Sequence, residues 1–338
     1  MHVDLVVVGS PTDKHVDAVL RPLKSAGVTA HCLDQIALWR RTITFDPGAG
    51  RLKVGRQTIT SCSLIWNRRA YPTAIRYMSR GEQAFARSEF SHALFGALWA
   101  LCGTWLDAPD AVARASYKAA QLHWATRDPR LRVPPALITS NSTSAKTFTH
   151  GKGARHVIKA LYRAIIETPS TAHFMYTSLV DADIRRRWTR IKHSPCIIQE
   201  YVARQYDVRL NVIGDRVFAT KLDASHIAAT AADVRRVNDY KDIRYTALEA
   251  PAPIARACRD MCAHFGLRFG AFDFAVDGDG VWHFPELNPN GQWYWLEEMT
   301  GQPLAAAFAA EILRQIDGGS VARKRSAPVD NKEARNFP

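Results

Sequence analysis

Asp273, Glu286 and Asn288 are the residues of this chain whose types and spacing most directly predict chemistry. They lie in two apolar segments, Phe269–Val276 and Val281–Asn288, which are joined by an Asp-Gly-Asp-Gly sequence. Such a sequence between two alternating segments is a strong signal for a β-hairpin. Because side chains two apart on a strand share a face, all three polar side chains are predicted to project from one side of this hairpin.

The register of the predicted hairpin decides how close the two carboxylates come. If the turn closes symmetrically, Asp273 lies opposite Phe284 and Ala271 lies opposite Glu286. The two acidic residues are then diagonal neighbours, roughly 7–8 Å apart at the backbone. Carboxylates aimed into one gap repel each other unless a cation lies between them, and a few oxygen ligands suit Mg²⁺ that also binds substrate phosphates. The alternative is the polar outer face of an exposed hairpin, which the aromatic surroundings disfavour.

Three lysines are candidates for binding phosphate. Lys159 lies within the apolar strand sequence His-Val-Ile-Lys-Ala-Leu, where a lysine is rarely buried without an anionic partner. Lys221 lies in a similar strand sequence, where a phosphate partner and an ordinary surface position are equally supported. Lys118 lies among alanines on a predicted helix, and a solvated surface lysine is the default interpretation there.

A strand end in the middle of the chain predicts a site for a nucleotide base. The apolar residues at 196–198 run directly into a segment whose backbone could pair with an adenine, formed by Gln199, Glu200, Tyr201 and Val202. Asp207 follows within reach of ribose hydroxyls, and Arg209 would direct its fixed fork of donors at a developing anionic centre. Taken alone, the same segment is also typical of an ordinary surface loop.

The composition is that of a globular protein with room for two or three packed lobes. Of the 338 residues, 47% are hydrophobic and 23% are charged. No apolar run reaches the length of about 18 residues that a transmembrane helix needs. The first residues are interpreted as a strand rather than a signal peptide, because Asp4 precedes the apolar run and no cleavage site follows.

The six cysteines are scattered and include no Cys-x-x-Cys pair. Neither a zinc site nor a disulfide framework is therefore expected, and the cysteine pattern fits a protein of the reducing cytoplasm. We interpret the cysteines as small core residues, with Cys258 and Cys262 one helical turn apart.

The formal net charge of +13 is compatible with several anionic partners, among them nucleic acid, a membrane, an acidic peptide and nucleotide phosphates. Part of the charge lies in the tail at Arg323–Arg325. A second basic cluster, which consists of Arg185–Arg187, Arg190 and Lys192, interrupts an otherwise foldable stretch. Because no stacking motif or zinc-finger spacing accompanies it, nucleic-acid binding is a minority interpretation, and no membrane partner is expected.

The first third of the chain predicts a small parallel α/β sheet. An apolar run at 4–9 precedes a helix pattern from Asp13 to Ala26, with Gly27 as its C-terminal cap, and a strand at 28–33 follows. The sequence after the first strand lacks the spaced glycines of a dinucleotide site. A buried strand at 64–69 and a long helix at 82–102 come next.

Beyond residue 104 the pattern is less regular. Strands are predicted at 133–140, 156–161 and 195–202, and a hairpin at 207–223 turns at Gly214-Asp215. Helices are predicted at 252–265 and 303–315. The basic segment from Gly318 onward is predicted to be disordered.

The order of these segments resembles the ATP-grasp superfamily, in which two α+β lobes hold ATP between them. The resemblance covers residues 104–316 and rests on Lys118 in SYKAAQL, VPPALITS, Lys159 in VIKAL, IIQEYV, Asp207 and Arg209 in DVRLNVIG, Asp273, and Glu286-x-Asn288. The ending PELNPNGQW and the segment Trp66-Asn67-Arg68-Arg69 are similar to the maturases of graspetides, the ω-ester-containing peptides of the microviridin type.

The resemblance implies an ATP-grasp fold of mixed α/β and α+β character. It divides the chain into an N-terminal pre-ATP-grasp α/β domain at 1–103, a small central lobe at 104–198, a C-terminal lobe at 199–317 and the disordered basic tail at 318–338. The family often forms dimers, so a homodimer is also an expectation.

The resemblance also implies a reaction. ATP phosphorylates an Asp or Glu side chain of a ribosomally made precursor peptide with a leader and a core, and a Ser, Thr or Lys side chain attacks the acyl phosphate. The product is a macrolactone or macrolactam, and ADP and phosphate are released. An enzyme of this kind accelerates the reaction by positioning ATP and the peptide side chains and by neutralising the charge of the phosphates.

Each candidate residue acquires a role through this resemblance. Lys118 and Lys159 would hold ATP phosphates, and Gln199 to Val202 would bind adenine. Asp207 would bind ribose, while Arg209 and Lys221 would be catalytic residues that face the phosphates. The ligands of Mg²⁺ would be Asp273, Glu286 and Asn288.

Two features depart from the family pattern. Many ATP-grasp enzymes carry a glycine-rich phosphate loop after the residue that corresponds to Lys159, whereas this chain has no glycine at 161–178, where Ser170 and Thr171 are the substitutes. The basic cluster belongs to no nucleotide motif. We hypothesise that it attracts an acidic precursor peptide.

Three alternatives remain at the level of sequence. The same fold could add a free amino acid to a protein or to a small carboxylate. The chain could also be a nucleotide-binding sensor without turnover, although all the candidate ligands are present. A nucleic-acid binder would use the basic surface alone and would show salt-sensitive binding without ADP release.

Overall fold

A computed structural model describes residues 2–34, 42–68, 78–150, 153–162, 165–167, 171–227 and 240–325 of the chain. The chain divides into two compact units, one formed by Met1–Leu106 with Ala305–Pro338 and the other by Asp107–Leu304. The finer boundaries expected after residues 103, 198 and 317 stay predictions. Within the described ranges, no helix is long and apolar enough to span a membrane.

A three-stranded parallel sheet lies in the first unit, as the strand-helix-strand pattern predicts. In the order β2-β1-β6, its strands are β2 (Ala30–Asp34), β1 (His2–Gly9) and β6 (Ser61–Asn67). Helix α1 (Lys14–Ser25) connects β1 to β2. Asp13 caps its N-terminus by accepting a hydrogen bond from the His15 amide, and Gly27, at a φ of 80°, follows its end. The valines and leucine of β1 are buried and form much of this unit's core.

The remaining elements of this part of the chain are an antiparallel sheet and two long helices. They are β3 (Ile43–Asp46), β4 (Arg51–Val54), β5 (Gln57–Ile59), α2 (Arg80–Leu101) and α9 (Leu304–Arg325). Helix α9 continues past its expected end at Gln315 and includes the start of the segment that was predicted to be disordered. A glycine costs a helix only about 1 kcal/mol relative to alanine, so Gly318 does not end it.

Cys62 and Cys102 form a disulfide, although no disulfide framework was expected and both were interpreted as small core residues. Cys62 lies on β6 and Cys102 directly follows α2, and their Cα atoms are 5.2 Å apart. A separation of 40 residues leaves no spacing motif, and only the fold brings the two positions together. The prediction that Cys258 and Cys262 are core residues is confirmed, and burial raises the pKa of both thiols.

A four-stranded antiparallel sheet lies in the second unit. In the order β11-β8-β12-β7, its strands are β11 (Ser178–Leu179), β8 (His156–Lys159), β12 (Cys196–Glu200) and β7 (Ala136–Thr139). The helices of this region are α3 (Pro109–Ala115), α4 (Lys118–Ala125), α5 (Ser142–Thr149), α6 (Ala182–Arg186) and a 3₁₀ helix at Trp188–His193. Burial of Trp188 and Ile198 fixes the 3₁₀ helix and α5 against this sheet.

The segment after Lys159, which lacks glycine, forms a short antiparallel pair of strands. These are β9 (Ile165–Glu167) and β10 (Ala172–Phe174). Ser170 lies outside the described residues, and Thr171 is exposed.

A five-stranded antiparallel sheet completes the second unit. In the order β15-β14-β13-β16-β17, its strands are β15 (Arg244–Leu248), β14 (Arg216–Asp223), β13 (Arg204–Ile213), β16 (Phe269–Asp277) and β17 (Trp282–Asn288). A 3₁₀ helix at Tyr240–Asp242, α7 (Ala252–Phe265) and α8 (Tyr294–Thr300) accompany it. The predicted turn at Gly214-Asp215 is confirmed. Strand β17 lies at the edge of the sheet, where its Phe284 amide donates to the Arg132 carbonyl at 2.8 Å.

Reduction of the Cys62–Cys102 disulfide is expected to lower the free energy of unfolding. A crosslink that closes a loop of this length stabilises a protein by about 4 kcal/mol when chain entropy alone is counted. Urea unfolding of the oxidised and the reduced protein measures the difference. The Cys62→Ala/Cys102→Ala variant provides the control, because its stability should not respond to the reductant. Equal midpoints for the oxidised and the reduced wild type would contradict the prediction.

Candidate active site

One face of the five-stranded sheet packs on the main core and the other, which we call the polar face, carries the candidate site residues, because side chains alternate along every strand. Val208 and Phe274 belong to the core cluster on the first of these faces, where α7 packs. Arg209 lies directly opposite Asp273, and Asp273 lies directly opposite Glu286. Directly opposed residues of an antiparallel pair share a face, so these three side chains lie on the polar face.

The predicted register of the β16–β17 hairpin was wrong, although the shared face of its polar residues is confirmed. Asp273 pairs with Glu286 rather than with Phe284, and Ala271 pairs with Asn288 rather than with Glu286. The two carboxylates are therefore directly opposed and not diagonal, which brings their Cβ atoms to about 4.5–5.5 Å.

Two local irregularities account for the changed register. The turn is a three-residue loop, in which the Asp277 amide donates to the Val281 carbonyl and Gly280 has a φ of 78°. A bulge follows, where β17 places Phe284 and Pro285 opposite a single residue of β16. Proline lacks an N–H group and is tolerated in strands at bulges and edges, so Pro285 fits this position.

Each of the opposed carboxylates has a cationic partner. Arg209 Nε lies 3.2 Å from Asp273 Oδ1, and Lys118 Nζ lies 2.6 Å from Glu286 Oε2. The cations come from β13 and from the first residue of α4. The repulsion between the carboxylates is thus offset by two ion pairs at the same place.

Two of the three candidate lysines, Lys118 and Lys159, lie next to this hairpin. Lys118 Nζ also donates to the Ala160 carbonyl at 3.3 Å, so it is not the solvated surface lysine of the default interpretation. Lys159 Nζ donates to the carbonyl of Pro285, the residue before Glu286, at 3.4 Å. Strand β8 and helix α4 therefore bring both ammonium groups to β17.

The Arg209 guanidinium has a further donor. Its Nη1 atom is buried and has no hydrogen-bond partner among the described residues. A buried guanidinium nitrogen without a partner is costly, and an anionic ligand would satisfy it.

The structure does not bring Lys221 together with Arg209. Lys221 lies opposite Val208, which places it on the other face of the sheet. Its Nζ lies 4.3 Å from the centroid of the Tyr206 ring and 3.5 Å from Asp223 Oδ2. A hydrogen bond from the Ser225 hydroxyl is the main cause of the lowered pKa of Asp223.

The predicted adenine segment begins inside a strand rather than at its end. Gln199 is buried in β12 and donates to the Pro134 carbonyl at 3.2 Å. The Glu200 and Tyr201 amides donate to the carbonyls of Pro135 and Arg155. Val202 is then the one residue of the four whose amide makes no hydrogen bond to another described residue.

Asp207 lies on the polar face of the sheet, since it pairs with Ala275 two residues from Asp273. Its Oδ1 atom is 2.9 Å from Arg204 Nε. The Asp207 carboxylate is therefore oriented by a cation of its own strand.

Sequence reasoning missed two buried polar residues near the hairpin, Asn211 and Gln121. Asn211 is fully buried on the polar face, opposite Ala271, and neither of its amide atoms has a hydrogen-bond partner among the described residues. Position 211 follows Arg209 at the strand period of two, so its face could have been read from the sequence. Its burial could not.

The Trp-Asn-Arg-Arg segment lies in the first unit, at the end of β6. Arg68 is buried and its Nε lies 3.2 Å from Asp13 Oδ2, whereas Arg69 lies outside the described residues. Burial raises the pKa of Asp13, but the hydrogen bond from His15 and the charge of Arg68 outweigh this effect, and the pKa is lowered.

The arrangement in the second unit is that of the ATP-grasp fold, which the chain adopts over nearly its whole length. One similar solved structure is the macrocyclase MdnC bound with precursor peptide MdnA from Microcystis aeruginosa, at 22% identity and a TM-score of 0.80 over 93% of this chain and 99% of that one. Another is a RiPP-associated ATP-grasp ligase of Chryseobacterium gregarium in complex with ADP and a leader and core peptide, at 20% identity and a TM-score of 0.82 over 93% and 97%.

A more distant similarity is to the D-cycloserine synthetase DcsG, at 16% identity and a TM-score of 0.58 over 92% of this chain and 99% of that one. No protein-family model matches the chain, and no curated protein matches its sequence.

Replacing Asn211 by leucine is expected to stabilise the protein. A buried polar group without a partner costs about 1–3 kcal/mol, and an apolar side chain of similar shape removes that cost. Urea unfolding of Asn211→Leu should show a free energy of unfolding that is higher by about 1 kcal/mol. Asn211→Asp is the matched comparison and should be less stable than the wild type, since it buries a charge. A destabilised leucine variant would contradict the prediction.

Proposed function

We propose that this chain is an ATP-dependent, ADP-forming ligase. It joins Asp or Glu side chains of a ribosomally made precursor peptide to Ser, Thr or Lys side chains as macrolactones or macrolactams. The observation that carries this proposal is the pair of opposed carboxylates on the β16–β17 hairpin with Lys118 and Arg209 beside them. The similarity to peptide-bound ligases over 93% of the chain supports it.

The donor set of the hairpin fits Mg²⁺. Asp273 and Glu286 supply carboxylate oxygens, and Asn288, on the same face, supplies an amide oxygen whose orientation is set by the Asn290 amide at 3.2 Å. Among the described residues, no group of three or more His, Cys, Asp or Glu side chains gathers as a metal site. A site with two carboxylates suits an ion that takes its other ligands from water and phosphates. Bound there, Mg²⁺ neutralises phosphate charge.

The nucleotide is held by groups on both sheets of the second unit. The Val202 amide is the donor for adenine beside Gln199, Glu200 and Tyr201, and Asp207 is the acceptor for the ribose hydroxyls. Lys118 and Lys159 neutralise the phosphates. Both ammonium groups already contact β17, at or next to Glu286, so neither lysine has to move across the site to reach the phosphates.

The reaction has two steps. An oxygen of the substrate carboxylate attacks the γ-phosphorus of ATP and forms an acyl phosphate, while ADP leaves. A hydroxyl or amine of the same peptide then attacks the acyl carbon and loses its proton, and phosphate leaves. Arg209 is the catalytic residue, because its guanidinium lies beside Asp273 and can stabilise negative charge on the acyl phosphate. Lys221 pairs with Val208 on the other face of the sheet, and the proposed mechanism gives it no role.

The partner is an acidic peptide, and the basic cluster is the surface that attracts it. Arg186 and Arg187 are exposed and share only Asp183 as an ion-pair partner among the described residues. Arg185 donates to the Thr149 carbonyl at 3.1 Å and anchors α6 to the end of α5. A homodimer and a cytoplasmic location stay predictions.

Mass spectrometry of acidic precursor peptides tests the proposed reaction. Peptides are incubated with protein, ATP and Mg²⁺, and the intact mass is expected to fall by one water for each link formed. Glu286→Gln keeps the shape of the side chain but removes a charge that the metal needs, so its rate should fall by at least 100-fold, about 3 kcal/mol of transition-state stabilisation.

Other outcomes of this experiment identify the alternatives. A mass gain on a small acceptor with ADP release would indicate an amino-acid ligase. Nucleotide binding without any turnover of acidic peptides would indicate a sensor. Salt-sensitive binding of random DNA without ADP release would indicate a nucleic-acid protein.

Removing two charges from the basic cluster is expected to weaken peptide binding about 30-fold at low salt, since nearby charges at a surface interact by about 1 kcal/mol each, or about 2 kcal/mol together. The variant is Arg186→Ala/Arg187→Ala, and fluorescence anisotropy of a labelled acidic peptide measures its affinity. The difference from wild type should shrink above about 0.5 M salt, where charges are screened. The control variant is Arg21→Ala/Lys24→Ala on α1, which removes two positive charges outside the basic cluster. Equal losses in both variants would contradict a specific role for the cluster.

A further inference from the structure

Strand β17 carries the predicted metal ligands at the edge of its sheet, so no further strand of the described part of the chain pairs along its outer side. The side chain of Gln121 takes that place. The Leu287 amide donates to Gln121 Oε1 at 2.9 Å, and Gln121 Nε2 donates to the Leu287 carbonyl at 2.7 Å. The second Nε2 proton is donated to the Ala115 carbonyl at 2.6 Å. Gln121 is only 1% exposed, and all of its donors are used.

Leu287 is the residue between Glu286 and Asn288. Because side chains alternate along a strand, its own side chain enters the apolar core while its two neighbours project from the polar face. Fixing both backbone groups of Leu287 therefore fixes the direction of both neighbouring side chains.

Gln121 also lies one helical turn after Lys118 on α4. This helix has eight residues and no side-chain hydrogen bond at its N-terminal cap, and a helix that short depends on tertiary contacts. The hydrogen bonds from Gln121 to β17 hold the same turn whose Lys118 reaches Glu286. The Gln121 side chain thus fixes the position of the predicted metal ligands relative to Lys118.

We propose that Gln121 is a positioning residue that holds Glu286 and Asn288 in the geometry for Mg²⁺ and nucleotide. The inference rests on the proposed function, because it concerns the same site. It assigns a role to a residue that has no contact with the reacting atoms and acts through the backbone of Leu287.

Calorimetric titration of AMPPNP, with and without Mg²⁺, tests this role without any peptide. In the wild type, Mg²⁺ is expected to strengthen nucleotide binding. Gln121→Met keeps the length of the side chain but removes every hydrogen bond. We expect this variant to lose at least tenfold of the enhancement by Mg²⁺, while binding without Mg²⁺, to which Lys118 contributes, weakens by a smaller factor. A merely destabilised protein would weaken both equally.

The control variant is Asp107→Ala. Asp107 accepts from the Arg268 and Phe269 amides and clamps the backbone at the far end of β16, four residues from Asp273. It should lower the thermal midpoint and leave the enhancement by Mg²⁺ intact. Titrations are run well below the midpoint of either variant.

The remaining outcomes separate this inference from the proposed function. An unchanged enhancement in Gln121→Met, or an equal loss in Asp107→Ala, overturns the positioning role alone. A wild type that binds no AMPPNP overturns the proposed function and the inference with it. A wild type that binds AMPPNP equally with and without Mg²⁺ overturns the metal site, and the role of Gln121 with it.

Discussion

Asp273 and Glu286 occupy directly opposed positions on neighbouring strands, and their negative charges repel each other. The fold tolerates this because a cation from a different element meets each carboxylate, Arg209 from β13 and Lys118 from α4. Neutralising one pair of charges therefore ties a strand in the middle of the sheet and a separate helix to the hairpin. In the proposed reaction Arg209 and Lys118 interact with phosphate oxygens. Their ion pairs with the carboxylates hold both cations close to the position where the phosphates would bind.

The fold alone does not decide which acceptor is used. Similar structures include peptide-bound macrocyclases and ligases, and also a D-cycloserine synthetase. A shared scaffold hosts different reactions because specificity lies in the groups that surround it. Under the proposed function, the groups that distinguish a peptide from a small molecule are the exposed Arg186 and Arg187 at the end of α6, which lie on a different element from the hairpin.

Residue alternation made the polar face of the hairpin predictable, whereas its register depended on details that alternation does not contain. Gly280 and Pro285 each shift the pairing by one residue, and neither shift follows from counting back from a symmetric turn. The face of Lys221 could have been predicted, because the β13–β14 turn was placed correctly and fixes its partner as Val208. The role of Gln121 and the Cys62–Cys102 disulfide could not have been predicted. Gln121 contacts Leu287, 166 residues away, and the two cysteines are 40 residues apart, so no local sequence pattern marks either contact.

The edge position of β17 has a consequence for how this protein behaves at high concentration. An uncovered edge strand offers unpaired amides and carbonyls on which another chain can add a strand, which is a route to aggregation. Here Phe284 is bonded to Arg132, Pro285 has no N–H and its carbonyl receives Lys159, and Leu287 is bonded to Gln121. The contacts that shape the site therefore also cover this part of the edge, and a strand added there from another copy of the chain would have to displace them.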